Sequence, residues 1–194
     1  MAEVSRLYED GKIRCAWPHG DELYTHYHDT EWGVPLYGDD AMFERVALEG
    51  FQAGLSWITI LRRRDGFRRA FNDFEMTKVA TYTDRDVAEL MLDGGIIRNR
   101  AKIEATIKNA KLSLGLAEGL SELVWSFAPA RGRHTTPTAG FEWRAVTPES
   151  EALSKALRKL GFGFVGPTTM HALMQATGMI NDHAPECFRR AELS

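Results

Sequence analysis

The stretch TDRDVAELMLDGGIIRNRAKIEATIKNAKLSL, residues 83–114, decides the fold. Thr83 followed three residues later by Asp86 has the form of a capping box. In that arrangement the hydroxyl accepts from a first-turn amide and the carboxylate accepts from the threonine's own N–H. Val87, Leu90 and Met91 then share one helical stripe. Gly94 and Gly95 stop it, because glycine enters left-handed backbone without steric cost. A second stripe follows at once in Ile103, Ile107, Ala110 and Leu114, at the spacing of a buried helix face. The segment predicts two helices joined by a very tight turn, a helix-hairpin-helix. Its centre, DGGIIRNRAKI (93–103), suits a phosphate: glycines such as Gly95 let backbone amides approach closely, and the following helix offers its positive end. Arg98, Arg100 and Lys102 add charge. Glycine-terminated helices are also plain turns, so the motif alone reads equally as a phosphate contact or as a bland connection.

Outward from the hairpin, the quarter of the chain from Arg62 to Lys111 holds twelve Lys or Arg against eight Asp or Glu. That quarter is net +4 and the remainder is net -7, within a total of -3. The total excludes a protein that coats nucleic acid through bulk charge; the local excess reads either as a basic face or as a solvated helix surface. Other helix signals dominate. Asp39 and Asp40 are placed to cap a helix that buries Phe43, Val46, Ala47 and Gly50, and Ser56 starts the next. Thr147 with Pro148 opens a helix closed by Gly161, and Pro167 opens another that Gly178 ends. Pro129 to Gly140 reads as a long loop, and short extended pieces are expected only around Ile13 to Trp17 or Trp143 to Val146. The class is therefore mainly α. With 194 residues, 44% hydrophobic and 26% charged, one compact domain is expected. Neither an 18-residue apolar run nor an apolar leader is present, so a cytoplasmic protein with no membrane association is expected, by default a monomer.

Two cysteines occur, Cys15 and Cys187, and in a reducing cytosol such a pair reads as metal ligands or packing before a disulfide. His183-x-x-x-Cys187 sets two soft ligands one helical turn apart, half of a zinc site. Cys15 and His28 supply another pair, at a separation of thirteen residues that no standard zinc finger uses. Buried cysteines beside surface histidines explain the same residues. Two thiolates and two imidazoles saturate tetrahedral zinc, so such a site is structural and the chemistry lies elsewhere.

The first third of the chain is crowded with Trp17, Tyr24, Tyr27, Trp32, Phe51 and Trp57 around a lone carboxylate, Glu49, on an otherwise apolar helix. Burying an unpaired carboxylate costs several kcal/mol unless a cation or a donor meets it. Ring faces attract cations as well, at about 0.5 to 2 kcal/mol each. The set can recognise a positively charged flat molecule; a plain aromatic core with Glu49 paired to an arginine reads as well. HExxH, GxxxxGK[ST] and GxSxG are all absent.

The motifs RCAW (14–17), YTHYHDTEWG (24–33), LEGFQAGLSW (48–57), GIIRNRAKI (95–103), VWSF (124–127), LSKAL (153–157), GFGFVG (161–166) and NDH (181–183) together resemble the bacterial 3-methyladenine DNA glycosylase I family. The resemblance spans about residues 13 to 187. It implies the helix-hairpin-helix DNA glycosylase fold in one domain over 1–194. That domain would have two lobes, a helix-hairpin-helix of about 83–114 and a terminal lobe of about 13–35 with 165–190, joined by one structural zinc on Cys15, His28, His183 and Cys187. It further implies excision of 3-methyladenine from double-stranded DNA, with free base and an abasic site as products. Glu49, Tyr27 and Trp57 would recognise the base, and Trp17 and Tyr24 would line the same pocket.

Methylation at N3 makes adenine cationic and weakens its glycosidic bond, so recognition carries most of the catalysis. The damaged base is expected to flip out and stack between Trp57 and Tyr27 or Trp17, against Glu49. Leu55, in the segment Gln52 to Ser56, is a candidate wedge into the gap. Two departures bear on the pocket's polarity: Phe51 stands where the family has glutamine, and Glu22 where proline is usual. Ser121 and Glu122 stand where the wider superfamily carries a catalytic aspartate, and the resemblance points away from them. A broader alkyl-base glycosylase, a silent DNA-binding relative and a zinc protein unrelated to DNA are the alternatives.

Overall fold

A computed structural model describes residues 3–129, 134–136, 138 and 141–194. The chain opens with an antiparallel pair, β1 (Ser5–Leu7) and β2 (Ile13–Cys15), then α1 (Glu22–Thr30), whose cap Asp21 accepts from Tyr24 N. The central element is α2 (Asp39–Gln52), buried from Met42 to Phe51 except at Glu44. A helix buried nearly all round is one that other helices surround. After it come α3 (Trp57–Leu61), α4 (Arg64–Ala70), α5 (Met76–Val79), α6 (Asp84–Leu90), α7 (Arg100–Ser113) and α8 (Leu120–Trp125), of which α3, α7 and α8 pack against it. A two-residue strand, β3 (His134–Thr135), pairs in parallel with β4 (Ile180–Asn181) across α9 (Pro148–Lys159) and α10 (Pro167–Ala176), and α11 (Phe188–Glu192) ends the chain. Among the described residues no helix is long and apolar enough to cross a membrane.

The cap chemistry holds where it is local. Thr83 with Asp86 and Thr147 with Ser150 both form capping boxes, and Pro148 and Pro167 occupy first-turn positions. Four expectations change. Asp39 and Asp40 do not cap their own helix, which starts at Gly38; they cap two others, Asp39 accepting from Ser121 N at 2.8 Å and Asp40 from Met76 N at 2.9 Å. The first turn of α2 thereby anchors α8 and α5. Nine residues, not a very tight turn, join α6 to α7, whose N-cap is Asn99. Leu114 is 48% exposed, because α7 ends at Ser113 before the stripe completes another turn. Residues 141–146 form no strand. The extended piece expected around Ile13 is β2. Most of the loop expected from Pro129 to Gly140 lies outside the described residues.

The 91–99 connection is fixed from behind by a close backbone approach. A Cβ at Gly66 on α4 would fall well inside contact with the Gly95 carbonyl oxygen, so only glycine lets the two backbones touch. Gly178 has the same role at φ 75°, where a Cβ would meet Gly33 O at 2.6 Å. It seats the end of α10 against the segment that follows α1.

Candidate active site

A cavity of about 310 Å³ opens between α1, the C-terminal half of α2, α3 and α10. Trp17, Tyr24, Tyr27, Trp32 and Trp57 form its aromatic wall, Glu49 and Gln52 stand on the α2 side, and Ala172, Gln175 and Ala176 face them from α10. Trp143 and Arg144 complete the rim. Neighbouring rings are close: 4.6 Å between the centroids of Trp17 and Tyr24, 5.5 Å between Tyr27 and Trp57, and 6.4 Å between Trp17 and Tyr27. A flat ring sandwiched between two others needs about 7 Å, two contacts of about 3.5 Å. At 5.5 Å the Tyr27–Trp57 pair is too close to sandwich a ring between its two members, and the aromatics line one continuous wall.

Glu49 is 3% exposed, and its Oε2 accepts no hydrogen bond. Burial pushes its carboxyl up to about 7, against the opposing pull of Arg45 one turn earlier. An orphaned buried acceptor is the costly arrangement that a ligand donor or cation relieves. Trp57 Nε1 also lacks a partner. Arg45 does not pair with Glu49. It donates to the Tyr27 hydroxyl at 3.1 Å.

The expected site residues fare differently. Phe51 is in the core, packed at a tilt against Phe67 with ring centroids 4.6 Å apart, and does not line the cavity, so its departure from the family pattern leaves the cavity's polarity untouched. Ser121, Glu122 and Glu22 do not line the cavity. Leu55 is 42% exposed in the turn between α2 and α3, beside Gln52. On the hairpin, Arg98 and Arg100 face solvent, Arg100 with Glu104 at 3.3 Å. The Gly95 amide donates to Asp93 Oδ1 at 2.7 Å. Lys102 is corrected: it is 7% exposed, and its ammonium donates to the Phe51 and Ala53 carbonyls at 2.8 and 2.7 Å. It ties down the free C-terminal carbonyls of α2 and offers nothing to a phosphate. Gln52, Arg45, Trp143, Arg144 and Gln175 were missed. Arg45 alone left a signal, its spacing of four from Glu49.

Behind the aromatic wall, Cys15, His28, His183 and Cys187 bring their donor atoms within 4.8 Å of one another, all buried. His183 Nδ1 lies 3.2 Å from His28 Nε2, 3.5 Å from Cys187 Sγ and 3.7 Å from Cys15 Sγ. Cys187 Sγ lies 3.4 Å from His28 Nε2. Metal–nitrogen bonds of about 2.0 Å and metal–sulfur bonds of about 2.3 Å give tetrahedron edges of about 3.3 to 3.8 Å, so the donor set fits a tetrahedral metal ion. The other ring nitrogens are already oriented. His28 Nδ1 meets Asp29 Oδ1 at 2.8 Å and His183 Nε2 meets the Trp32 carbonyl at 3.1 Å, the outer contacts that fix metal-binding imidazoles. Arg14 holds Asp29 in turn, at 2.7 to 3.0 Å. Burial raises the Cys15 thiol, while hydrogen bonds from Cys15, His183 and His28 lower Cys187. The expected helical turn from His183 to Cys187 is a non-helical turn closed by Cys187 N on Ala184 O at 2.9 Å. The four residues abut the wall directly: Trp17 lies 5.2 Å from His28 and Trp32 lies 4.5 Å from His183, centroid to centroid.

A buried carboxylate set in an aromatic wall has the chemistry to receive one flat, electron-poor ring. The chain belongs to the methyladenine glycosylase family, which it matches over residues 17–190. It is 46% identical over 177 residues to DNA-3-methyladenine glycosylase 1 of Escherichia coli (strain K12), covering 90% of this chain and 95% of that one. A crystal structure of 3-methyladenine DNA glycosylase I superposes with a TM-score of 0.86 at 44% identity, over 90% of this chain and 98% of the other. A second, of a tyrosine-to-phenylalanine variant of 3-methyladenine DNA glycosylase I in complex with 3-methyladenine, superposes at 0.85 with 34% identity, over 91% of this chain and 97% of the other.

Proposed function

We propose that this chain excises 3-methyladenine from double-stranded DNA as a cytoplasmic repair enzyme, hydrolysing the N-glycosidic bond and leaving an abasic site. The observation that carries the reading is Glu49, buried with an unpartnered oxygen in a cavity walled by five aromatic rings. A methylated adenine delivers positive charge to that oxygen, carried in part on its 6-amino donor. An unmodified adenine delivers much less, so discrimination follows from the cost of the carboxylate that it leaves unmet. The base lies along the Tyr27–Trp57 wall, with α10 opposite. Once held there it departs without an acid to protonate it, and water adds to the sugar as that acquires oxocarbenium character. Glu49 takes part by electrostatics on the developing charge. Among the described residues no lysine lines the cavity, which supports simple hydrolysis over strand-cleaving chemistry.

The α6–α7 pair acts in this reading as a helix-hairpin-helix that holds the DNA backbone through Gly95, Arg98 and Arg100, while Leu55 fills the gap left by the flipped nucleotide. Cys15, His28, His183 and Cys187 hold one structural zinc, which clamps the aromatic wall to the C-terminal segment. Four protein ligands leave it no open position.

The test incubates the protein with methylated DNA and separates the released bases. 3-Methyladenine is expected from the intact chain, with a lower yield from Glu49→Gln. No release by the intact chain overturns the proposal, and equal release of 7-methylguanine replaces it with a broader alkyl-base glycosylase.

A further inference from the structure

Arg45 stands one turn before Glu49 on α2 and is 9% exposed. A guanidinium has five donors and no acceptor, and a buried one keeps its charge. Its surroundings give it no dedicated counter-ion. Glu31 Oε2 is 3.7 Å away, but Glu31 is already held by both Arg64 nitrogens, at 2.5 and 2.9 Å. Instead Arg45 NH1 donates to the Tyr27 hydroxyl at 3.1 Å, and the guanidinium lies 5.6 Å from the Tyr27 ring centroid and 5.4 Å from that of Trp57. These two rings are the wall beside Glu49.

From this arrangement, and resting on the reading of the cavity as a base site, we infer that Arg45 is a positioning residue of the pocket: it commits the Tyr27 hydroxyl to donating into the cavity and favours the carboxylate form of Glu49. The first effect follows from donor counting. With Arg45 donating to its oxygen, Tyr27 has its own proton left to give, and among the described residues it gives that proton to no protein acceptor. The bound ring is the partner that remains. The second effect follows from placement, since positions four apart on a helix are neighbours. Burial alone would leave Glu49 protonated at neutral pH and blind to a cationic ring.

The other groups facing Glu49 do not supply this charge. Tyr24 and Tyr27 come from α1 and stay neutral, Glu31 follows α1 and repels, and Arg144 on the rim is exposed and screened by water. From α10 only Ala172, Gln175 and Ala176 reach the cavity. Glu44, beside Arg45 on α2, is taken by Arg68 at 2.8 Å.

The test labels glutamate with ¹³C at Cδ, assigns the Glu49 resonance by its loss in Glu49→Gln, and titrates the intact protein, Arg45→Met and Arg45→Lys. Arg45→Met is expected to raise the Glu49 midpoint by about one pH unit, the smaller end of what a nearby opposite charge does. Arg45→Lys keeps the charge and is expected to hold the midpoint near that of the intact protein. Base release from methylated DNA follows: at pH 6.5 Arg45→Met loses roughly tenfold in kcat/KM, and above pH 8.5 it loses much less. A merely structural arginine would lower both ends alike. An unmoved midpoint in folded Arg45→Met, or an equal rise in Arg45→Lys, overturns the inference; should the methionine variant not fold, Arg45→Gln removes the charge in its place, with the same rise expected and an unmoved midpoint again overturning the inference. Failure of the underlying reading shows separately, as no base release by the intact protein at any pH, whatever the titration gives.

Discussion

Lys102 Nζ lies 2.8 Å from the carbonyl oxygen of Phe51, so the first turn of α7 is fastened to the last turn of the helix that carries Glu49. The same ammonium reaches Ala53 O at 2.7 Å, across the start of the turn that presents Leu55. The start of α7 is thus tied to the helix that lines the cavity. Replacing Lys102 with methionine keeps the stem and removes both charge-assisted bonds, which contribute about 1.5 to 3 kcal/mol each when a charged group is involved. We predict a loss of at least about 2 kcal/mol in urea unfolding of Lys102→Met. The slope of DNA affinity against salt stays as in the intact protein, whereas Arg100→Ala flattens it by about one phosphate contact. A flatter slope in Lys102→Met would return this lysine to the DNA surface.

Four of the six donor–donor distances in the Cys15, His28, His183 and Cys187 group, 3.2 to 3.7 Å, match the edges of a tetrahedral site. Metal analysis of purified protein should find one zinc per chain. Cys15→Ser and His183→Ala should lose it together with several degrees of Tm, because binding energy at such a site is folding energy. Tryptophan fluorescence should change as well, since Trp17 and Trp32 sit against the two histidines. A metal-free chain of unchanged Tm would count against the clamp.

Much of this was legible in the sequence wherever the physics is local. The capping box at Thr83, the cap at Thr147 and the first-turn prolines Pro148 and Pro167 require only neighbours, and each begins a helix where expected. The aromatic wall was legible because Trp17, Tyr24, Tyr27, Trp32 and Trp57 lie within about forty residues around Glu49. The opposite side was not: Gln175 and Arg144 reach the cavity only through the packing of α10 and of the segment before α9, and neither carries a local pattern. Lys102 was misread because a sequence reports charge and not exposure. Asp39 and Asp40 were misread because a carboxylate in a first turn can cap a neighbouring helix as readily as its own.

Gly66 is a sharp test of the hairpin's seat. The Cβ of an alanine there would overlap the Gly95 carbonyl, which is backbone and cannot rotate away. Gly66→Ala should therefore cost about 1 to 3 kcal/mol as an overpacked contact, although alanine is the better helix former. It should also weaken DNA binding more than it weakens binding of free 3-methyladenine, since the displaced segment carries Arg98 and Arg100 and does not line the cavity. A more stable Gly66→Ala protein would show that the two backbones do not meet.

Glu49 should cost the protein stability in exchange for its function. Its carboxyl is raised from 4.5 in the unfolded chain to about 7 by burial, so between those values the folded state binds more protons than the unfolded one. Stability must then fall as pH rises from about 4.5 to 7, and the penalty is complete above 7. A shift of that size, with the pull of Arg45 already in it, corresponds to about 3 kcal/mol, an upper figure because the open mouth of the cavity softens it. Glu49→Gln removes the titration and keeps the shape. We expect it to be more stable than the intact chain in guanidinium unfolding at pH 8, by about 1 to 3 kcal/mol, and equal to it near pH 4.5. Added 3-methyladenine should narrow the gap at pH 8 by stabilising the glutamate form alone. If Glu49→Gln is no more stable at pH 8 than at pH 4.5, relative to the intact chain, the carboxylate already has a partner in the free protein, and the cavity needs no cation to complete it.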